Sequence, residues 1–410
     1  MTWINDRSSP SMRLLAGKRP GAEQRLILFS AGTAARRKEL REHAEQLLAS
    51  VDWSLLAELL RMRRLLPTLG PRILELAGER TSGDFALAVE EAVDTGRRQG
   101  AFLQLISERV MAALLDVGIR CTALKGPMLS DALYGDPGRR PSSDIDLLVA
   151  EEQMHRAVEV VRTLGYAAPS DHVGEEGLPM LHFAMVHEQG ELPPVEIHWR
   201  IHWYERSFAR DRLLAPAHPP AGLRWRPAPI DELTALLLFY ARDGFIDLRH
   251  AADLGAWWDI FGAGLRFGAL DESIRAYPEL EHVLMVAASV AERMVGLPLD
   301  RLHAGRPRSN HRGRIAARLA NPHPHASQAQ LYADMGLIDG LLMPVGDFNA
   351  FIKRQVILPR EVLREHARRQ ERRRPSSRLG HGLRVLGRYA LAITRLLRPA
   401  GTSPQGQTPR

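Results

Sequence analysis

At Gly118 the amino-acid sequence changes from a long helical pattern to short apolar segments of the strand type. The first, Ile119–Leu124, lies between two glycines, and the second, Ser143–Val149, follows a loop that contains glycine and proline. Short apolar runs between turn residues predict buried strands. Because a short helix at Met128–Tyr134 separates them, we expect a strand–helix–strand unit.

Two further strands, Leu181–His187 and Val195–His202, are predicted to form a hairpin after a helix at Glu152–Leu164. Apolar residues recur at helical spacing before and after this region, including two predicted helices at Phe85–Val93 and Ala101–Asp116. The predicted fold class is therefore α+β, a small mixed β-sheet core flanked by N-terminal and C-terminal helical regions. The expected segments are a poorly ordered N-terminus (1–34), an N-terminal helical region (35–117), an α/β core (118–203), a C-terminal helical domain (204–358) and an arginine-rich tail (359–410).

The composition narrows the class of protein. The 410-residue chain has a single cysteine, Cys121, which excludes an internal disulfide framework and a cysteine-rich metal site. Residues 1–20 lack the apolar segment of a secretory signal, and no apolar run approaches the ~18 residues of a transmembrane helix. A cytoplasmic protein without a transmembrane segment is expected.

The net charge of +7 is unevenly distributed. Arg360 to Arg410 contains 13 arginines against three glutamates, so the remainder of the chain is slightly negative. A nucleic-acid-binding domain usually carries its own basic face. Nucleic-acid binding is therefore not expected of the folded core, although the tail leaves it open as an alternative.

An apolar stripe at helical spacing runs through this tail. One predicted helical face carries Leu379, Leu383, Leu386, Ala390, Ile393 and Leu397. A basic amphipathic helix of this kind either contacts an anionic membrane surface or a partner groove, or packs as the last helix on its own domain.

Two aspartates at the start of a predicted strand carry the strongest chemical signal. Residues two apart in a strand point to the same face, so Asp144 and Asp146 are expected to project together. Neighbouring carboxylates repel each other, and a divalent cation such as Mg²⁺ removes that repulsion. The alternative is a strand end with two solvated acids.

A third acid lies in a strand with clean alternation, in which Glu196, His198 and Arg200 share one face. If this strand lies beside the acidic one, Glu196 joins the two aspartates and three carboxylates form a two-metal site. The alternative is an edge strand with a solvated polar face. His198 either contacts substrate or orients Glu196.

Histidines on the hairpin gave no support for a metal cluster, because His182 and His187 are five residues apart and fall on opposite faces of one strand. Lys125-Gly126 follows a strand and precedes a helix, a position where a backbone and a cation can approach a phosphate. Arg139 and Arg140 either meet phosphate or balance nearby acids.

Taken in order, these features resemble the uncharacterised nucleotidyltransferase family (nucleotidyltransferase-like type 5), a branch of the DNA-polymerase-β-like superfamily. The resemblance covers roughly residues 100–260. The matching residues are Leu124, Lys125, Gly126, Tyr134, Arg140, Asp144, Ile145, Asp146, Leu147, Leu148, Gly165, Tyr166, Glu196, Ile197, His198 and Trp199.

This resemblance implies Mg²⁺-dependent transfer of a nucleotidyl group from ATP or another nucleoside triphosphate to an unknown small-molecule or protein acceptor. Two Mg²⁺ ions are expected, with Mn²⁺ as an alternative. The implied catalytic and metal-binding residues are Asp144, Asp146 and Glu196, and the implied nucleotide-binding residues are Lys125, Gly126, Arg140 and His198. Leu248-Arg249-His250 and Asp253 look like the family's arginine-and-aspartate helix.

The chain departs from the broader superfamily where a Gly-Ser or Gly-Gly pair is replaced by Lys125-Gly126-Pro127, and Pro127 has no N–H to offer a phosphate. Asp253 either pairs with Arg249 along one helix or reaches the nucleotide. Two other functions stay open: a catalytically idle nucleotide-binding accessory protein of a biosynthetic pathway, and a nucleic-acid binder acting through the tail.

Overall fold

The computed structural model describes residues 21–167, 181–216, 222–305, 311–320, 328–344, 346, 348–349, 352, 356 and 377–397. Their principal α-helices are α1 (Ala22–Ala31), α2 (Ala34–Glu39), α3 (Arg41–Leu47), α4 (Trp53–Met62), α5 (Leu66–Ala77), α6 (Gly83–Asp116), α7 (Pro127–Tyr134), α8 (Met154–Thr163), α9 (Pro229–Arg242), α10 (Leu248–Phe261), α11 (Ala269–Ala276), α12 (Glu281–Val295), α13 (Leu299–Leu302), α14 (His311–Leu319), α15 (Gln328–Leu342) and α16 (Arg378–Leu397). Their strands are β1 (Cys121–Ala123), β2 (Ile145–Val149), β3 (Tyr166–Ala167), β4 (His182–His187) and β5 (Val195–His198).

The sheet is mixed, with strand order β1-β2-β5-β4-β3. Strands β2 and β5 are parallel, whereas β1 with β2, β5 with β4, and β4 with β3 are antiparallel. The prediction of an α+β fold with a small mixed sheet between helices is confirmed. Central β2 is buried on both faces, which explains why its residues other than Asp146 are apolar.

Two hydrophobic clusters hold the described residues together. The larger one combines N-terminal helices with α9, α10 and α12, so the two predicted helical regions form one packed unit. The smaller one contains the sheet, α8 and the second half of α6. Helix α6 has 34 residues and belongs to both clusters, with Phe85 in the first and Leu114 in the second.

The expectation of a poorly ordered N-terminus over 1–34 is wrong for its described part, because α1 lies within it. Leu26 is 0% exposed and Ile27 is 1% exposed in the larger cluster. A Cβ atom on Gly255 of α10 would lie 2.3 Å from the Ala31 carbonyl oxygen, so α1 and α10 are in backbone contact. Residues 1–20 lie outside the described residues.

The two helices predicted between Phe85 and Asp116 are one continuous helix, α6. The glycines that suggested a break allow close packing. A Cβ atom on Gly100 would lie 2.5 Å from the Pro137 carbonyl oxygen, and one on Gly138 would overlap the carbonyl of Gly96. The loop before β2 therefore packs directly on the α6 backbone.

Helix α16 packs on α15, with Val385 8% exposed. The predicted apolar stripe lies on a different face, and Leu379, Leu383, Leu386 and Ile393 are 76%, 62%, 53% and 46% exposed. The helix thus packs on its own chain through one face, and contact of the exposed face with a membrane or a partner stays a prediction. Within the described part of the chain, none of the helices has the length and apolar composition needed to cross a membrane. The remainder of the predicted tail, 359–376 and 398–410, lies outside the described residues.

Candidate active site

Two of the three predicted acids lie side by side in the sheet. The parallel pairing of β2 with β5 places Asp146 directly opposite Glu196. Their environments differ, since 2% of the Asp146 side chain and 23% of the Glu196 side chain are exposed. We expected this juxtaposition if the two strands were neighbours, and the pairing register produces it.

His198 connects the two acids. Its Nε2 lies 2.9 Å from Asp146 Oδ1 and 3.4 Å from Glu196 Oε2. A carboxylate only accepts hydrogen bonds, so a proton on Nε2 is donated to Asp146. Burial acts to raise the pKa of Glu196, but the His198 hydrogen bond and the nearby His182 outweigh it and hold that pKa below its usual range. Glu196 is therefore ionised at neutral pH.

A second histidine joins the group from the neighbouring strand. His182 lies opposite His198 in the β4–β5 register, their ring centroids are 4.6 Å apart, and His182 Nε2 is 3.4 Å from Glu196 Oε2. One ligand atom from each of His182, Glu196 and His198 lies within 4.8 Å of the others. This grouping was not predicted, because the prediction compared His182 and His187 along one strand and not His182 and His198 across two. Burial and the adjacent His198 lower the pKa of His182 to about 4, so it is neutral near pH 7.

Lys125 provides a cation next to Asp146. Its Nζ lies 3.3 Å from Asp146 Oδ2, and 11% of its side chain is exposed. Burial opposes ionisation of Asp146, but the charge of Lys125 and the hydrogen bond from His198 hold its pKa well below the usual range. Gly126 has φ of 74°, the left-handed conformation that glycine adopts without strain. This turn aims Lys125 at the acid and starts α7.

Arg242 lies near Lys125 and was not among the residues predicted from the sequence. The Arg242 guanidinium lies 5.0 Å from the centroid of the Phe239 ring, and Lys125 Nζ lies 4.6 Å from the same centroid. Arg242 Nε donates to Asp243 at 3.2 Å, whereas its buried Nη1 has no hydrogen-bond partner among the described residues. An Arg-Asp pair at the end of an apolar helix has no distinctive spacing, so only the packing of α9 against the sheet identifies it.

The profile of a family described as an uncharacterised nucleotidyltransferase matches residues 49–296, more than half of the chain. The chain belongs to this nucleotidyltransferase family. Neither curated proteins nor solved structures gave a match. The matched range contains the whole sheet and helices α9 and α10, which supply the residues described above.

Asp144 precedes β2, outside the strand that carries Asp146. Its Oδ1 accepts a hydrogen bond from Ser142 Oγ at 3.1 Å. The nearby Arg64 donates to Ser143 Oγ at 3.4 Å. Asp144 is in neither of the two potential metal-ligand groups found among the described residues.

Arg140 has contacts that do not support the predicted phosphate role. It is 4% exposed, and its Nε donates to Asp253 Oδ2 at 2.6 Å. Tyr134 donates to the other Asp253 oxygen at 3.1 Å. Burial would lower the pKa of Arg140, but Asp253 outweighs it and raises that pKa. The family motif here joins the loop before β2 to helix α10.

Asp253 is buried and paired with Arg140, which does not support the predicted contact with a nucleotide, and the alternative pair with Arg249 is not formed. Arg249 pairs with Asp247 at 2.6 Å. The second potential ligand group contains Asp243, Asp247 and His250. In it Asp243 contacts His250 at 3.0 Å and Asp247 is paired with Arg249, so both acids already have partners.

Proposed function

We propose that this protein transfers a nucleoside monophosphate from a nucleoside triphosphate to an acceptor, with Mg²⁺ as cofactor. The observation that carries the proposal is the register pair Asp146 and Glu196, held on one sheet with Lys125 against Asp146. Family membership supports the reaction class. The acceptor is a hydroxyl, phosphate or amine, which are the groups that such a transfer modifies.

The residues fit a divalent cation. Both Asp146 and Glu196 are held ionised by their surroundings, and carboxylate oxygens are the ligands that Mg²⁺ prefers. We keep Asp144 as a third proposed ligand on its sequence spacing alone, two residues before Asp146. A bound Mg²⁺ would supply charge neutralisation on the triphosphate and polarisation of the attacked phosphorus.

The chain itself supplies the remaining positive charge. Pro127 lacks an N–H at the first position of α7, so backbone donors at this helix start are reduced. We assign triphosphate binding to Lys125 and Arg242, which pack on the same Phe239 ring. We assign to Arg242 the phosphate-binding role that was predicted for Arg140, because Arg242 Nη1 is without a hydrogen-bond partner among the described residues.

Lys125 would then have two partners in turn. Without a metal ion it neutralises Asp146, and a cation bound at that carboxylate competes with it electrostatically. Its ammonium group then becomes available to a phosphate. Glu196, the more exposed acid, is placed to accept the proton of the attacking group.

Pyrophosphate release in the presence of Mg²⁺, ATP, GTP, CTP and UTP, with mass spectrometry of the labelled acceptor in cell extract, tests this function. Asp146→Asn and Glu196→Gln are each expected to lower kcat/KM by about 100-fold or more. Glu188→Gln is the matched control, because Glu188 is an exposed acid in the turn after β4. Equal turnover in all three variants and the wild type would remove the proposed mechanism.

A second set of variants tests the two cations. Lys125→Met and Arg242→Met are expected to raise the KM for the nucleotide, with partial recovery in Arg242→Lys. An unchanged KM in Arg242→Met would exclude Arg242 from nucleotide binding.

A catalytically idle nucleotide-binding protein is the second candidate, and one observation favours it. Both oxygens of Asp146 already have partners, His198 and Lys125, and its side chain is 2% exposed. Saturable nucleotide binding without product, under every metal and extract tested, would select this function.

A further inference from the structure

His182, Glu196 and His198 converge from two antiparallel strands on one point. The two imidazole Nε2 atoms each lie 3.4 Å from the same carboxylate atom, Glu196 Oε2. The register sets this convergence, because His182 and His198 are directly opposite and Glu196 is two residues before His198 on the same face.

The chemistry of this group differs from that of the acid pair. It offers two imidazole nitrogens and one carboxylate oxygen, a set that suits Mn²⁺, Fe²⁺, Co²⁺ or Zn²⁺, whereas Mg²⁺ selects oxygen ligands and water. Two histidines and one carboxylate on one side of an ion leave its other positions open for water or substrate.

Accessibility matches a site of this type. The His182 and Glu196 side chains are 35% and 23% exposed, whereas the His198 side chain is fully buried. An ion at this point would therefore rest on His198 and face outward between the other two side chains.

We propose that His182, Glu196 and His198 bind one first-row transition-metal ion. If nucleotidyl transfer is the function, this ion is the second metal of the reaction and is distinct from the Mg²⁺ that accompanies the triphosphate. Its role in catalysis rests on the proposed function, but its binding does not.

The histidine hydrogen bonds set the expected affinity. His198 Nε2 faces Asp146 Oδ1 at 2.9 Å, so coordination through this nitrogen exchanges that hydrogen bond for the metal and moves the proton to Nδ1. Among the described residues, neither His182 Nδ1 nor His198 Nδ1 has a hydrogen-bond partner. Since such partners typically contribute 10–100-fold in affinity, we expect binding of moderate strength that is readily reversed by a chelator.

The test titrates chelator-treated full-length protein with Co²⁺, followed by visible absorption, and with Zn²⁺, Mn²⁺ and Mg²⁺, followed by calorimetry. We expect one Co²⁺ or Zn²⁺ per chain, bound at least about 10-fold more tightly than Mg²⁺. His182→Gln, and His182→Ala as a second variant, should lose the Co²⁺ spectrum and at least about 10-fold in affinity for Zn²⁺.

His187→Gln is the matched control, since His187 is at the other end of β4 and is not in the ligand group. Its Co²⁺ spectrum should equal that of the wild type. Equal Co²⁺ binding in the wild type and both His182 variants, or tighter binding of Mg²⁺ than of Zn²⁺ in this assay, would overturn the proposal.

The two proposals fail in different ways. A His182-dependent Co²⁺ spectrum without pyrophosphate release would leave the metal site standing and remove nucleotidyl transfer. Pyrophosphate release that needs Glu196, together with a Co²⁺ spectrum that does not depend on His182, would do the opposite.

Discussion

The Arg140 guanidinium and the Asp253 carboxylate form an ion pair in which the side chains are 4% and 1% exposed. Tyr134 completes this group by donating to Asp253. A buried pair contributes little against a well-packed apolar pair, but removing one partner leaves an uncompensated charge. The arginine of the family motif thus acts at the junction of the loop before β2 with α10.

Asp253→Ala is expected to lower the free energy of unfolding by about 3–5 kcal/mol, because it leaves Arg140 buried and unpaired. The double variant Arg140→Met with Asp253→Leu should recover most of this loss. Chemical denaturation measures both.

The KM for the nucleotide separates this structural role from the predicted phosphate role. It should be unchanged in the double variant, because Lys125 and Arg242 are untouched. If the KM of the double variant rises as much as in Arg242→Met, Arg140 would instead be assigned to triphosphate binding.

Among the contacts made by the described glycines, the closest is between the backbone of α6 and the loop before β2. Gly96 and Gly100 on α6 and Gly138 in the loop meet backbone to backbone. Because this loop leads into Asp144 and β2, its position on α6 determines where the acidic strand starts. Gly96 and Gly100 lie between the two helices that the sequence predicted in place of α6.

Gly138→Ala is expected to lower the free energy of unfolding by about 1–3 kcal/mol, because its new Cβ overlaps the Gly96 carbonyl and forces the loop away from α6. Denaturant unfolding gives the value. Gly83→Ala is the control, since a Cβ atom at Gly83 has nothing within 4 Å. A loss in Gly138→Ala no larger than in the control would show that the loop adjusts freely.

Part of this arrangement of elements could be predicted from the sequence. Alternation in β5 predicted the shared face of Glu196 and His198, and the short apolar run at Leu147–Val149 predicted the strand β2. Pairing between strands is not encoded at a fixed spacing, so the approach of His182 to His198 could not be predicted. The position of Arg242 depends on how Phe239 of α9 packs on Lys125, and that of Asp253 on how α10 packs on α7 and the loop before β2. Local periodicity specifies neither.

At the scale of the whole molecule, α16 carries exposed leucines that its packing on the described residues does not explain. Its exposed leucines lie within residues 372–410, which contain nine arginines and neither aspartate nor glutamate. Apolar side chains combined with positive charge are typical of helices that rest on anionic lipid.

We expect the full-length protein to sediment with phosphatidylglycerol vesicles, less so with phosphatidylcholine vesicles, and less so as salt increases. The pair Leu383→Glu and Leu386→Glu should abolish this binding without unfolding the protein, because both side chains are already exposed. Leu105→Glu is the control, as Leu105 is 63% exposed on α6. Equal sedimentation of both variants would exclude α16 as the lipid-binding surface.

Helix α6 has a consequence for how substrates enter. With 34 residues it is about 50 Å long, and its two halves are built into different hydrophobic clusters. Separating the sheet from the helical unit would require bending this helix or breaking its backbone hydrogen bonds. We therefore expect nucleotide and acceptor to reach the acids through rearrangement of side chains and loops around a rigid frame, and not through a hinge between two lobes.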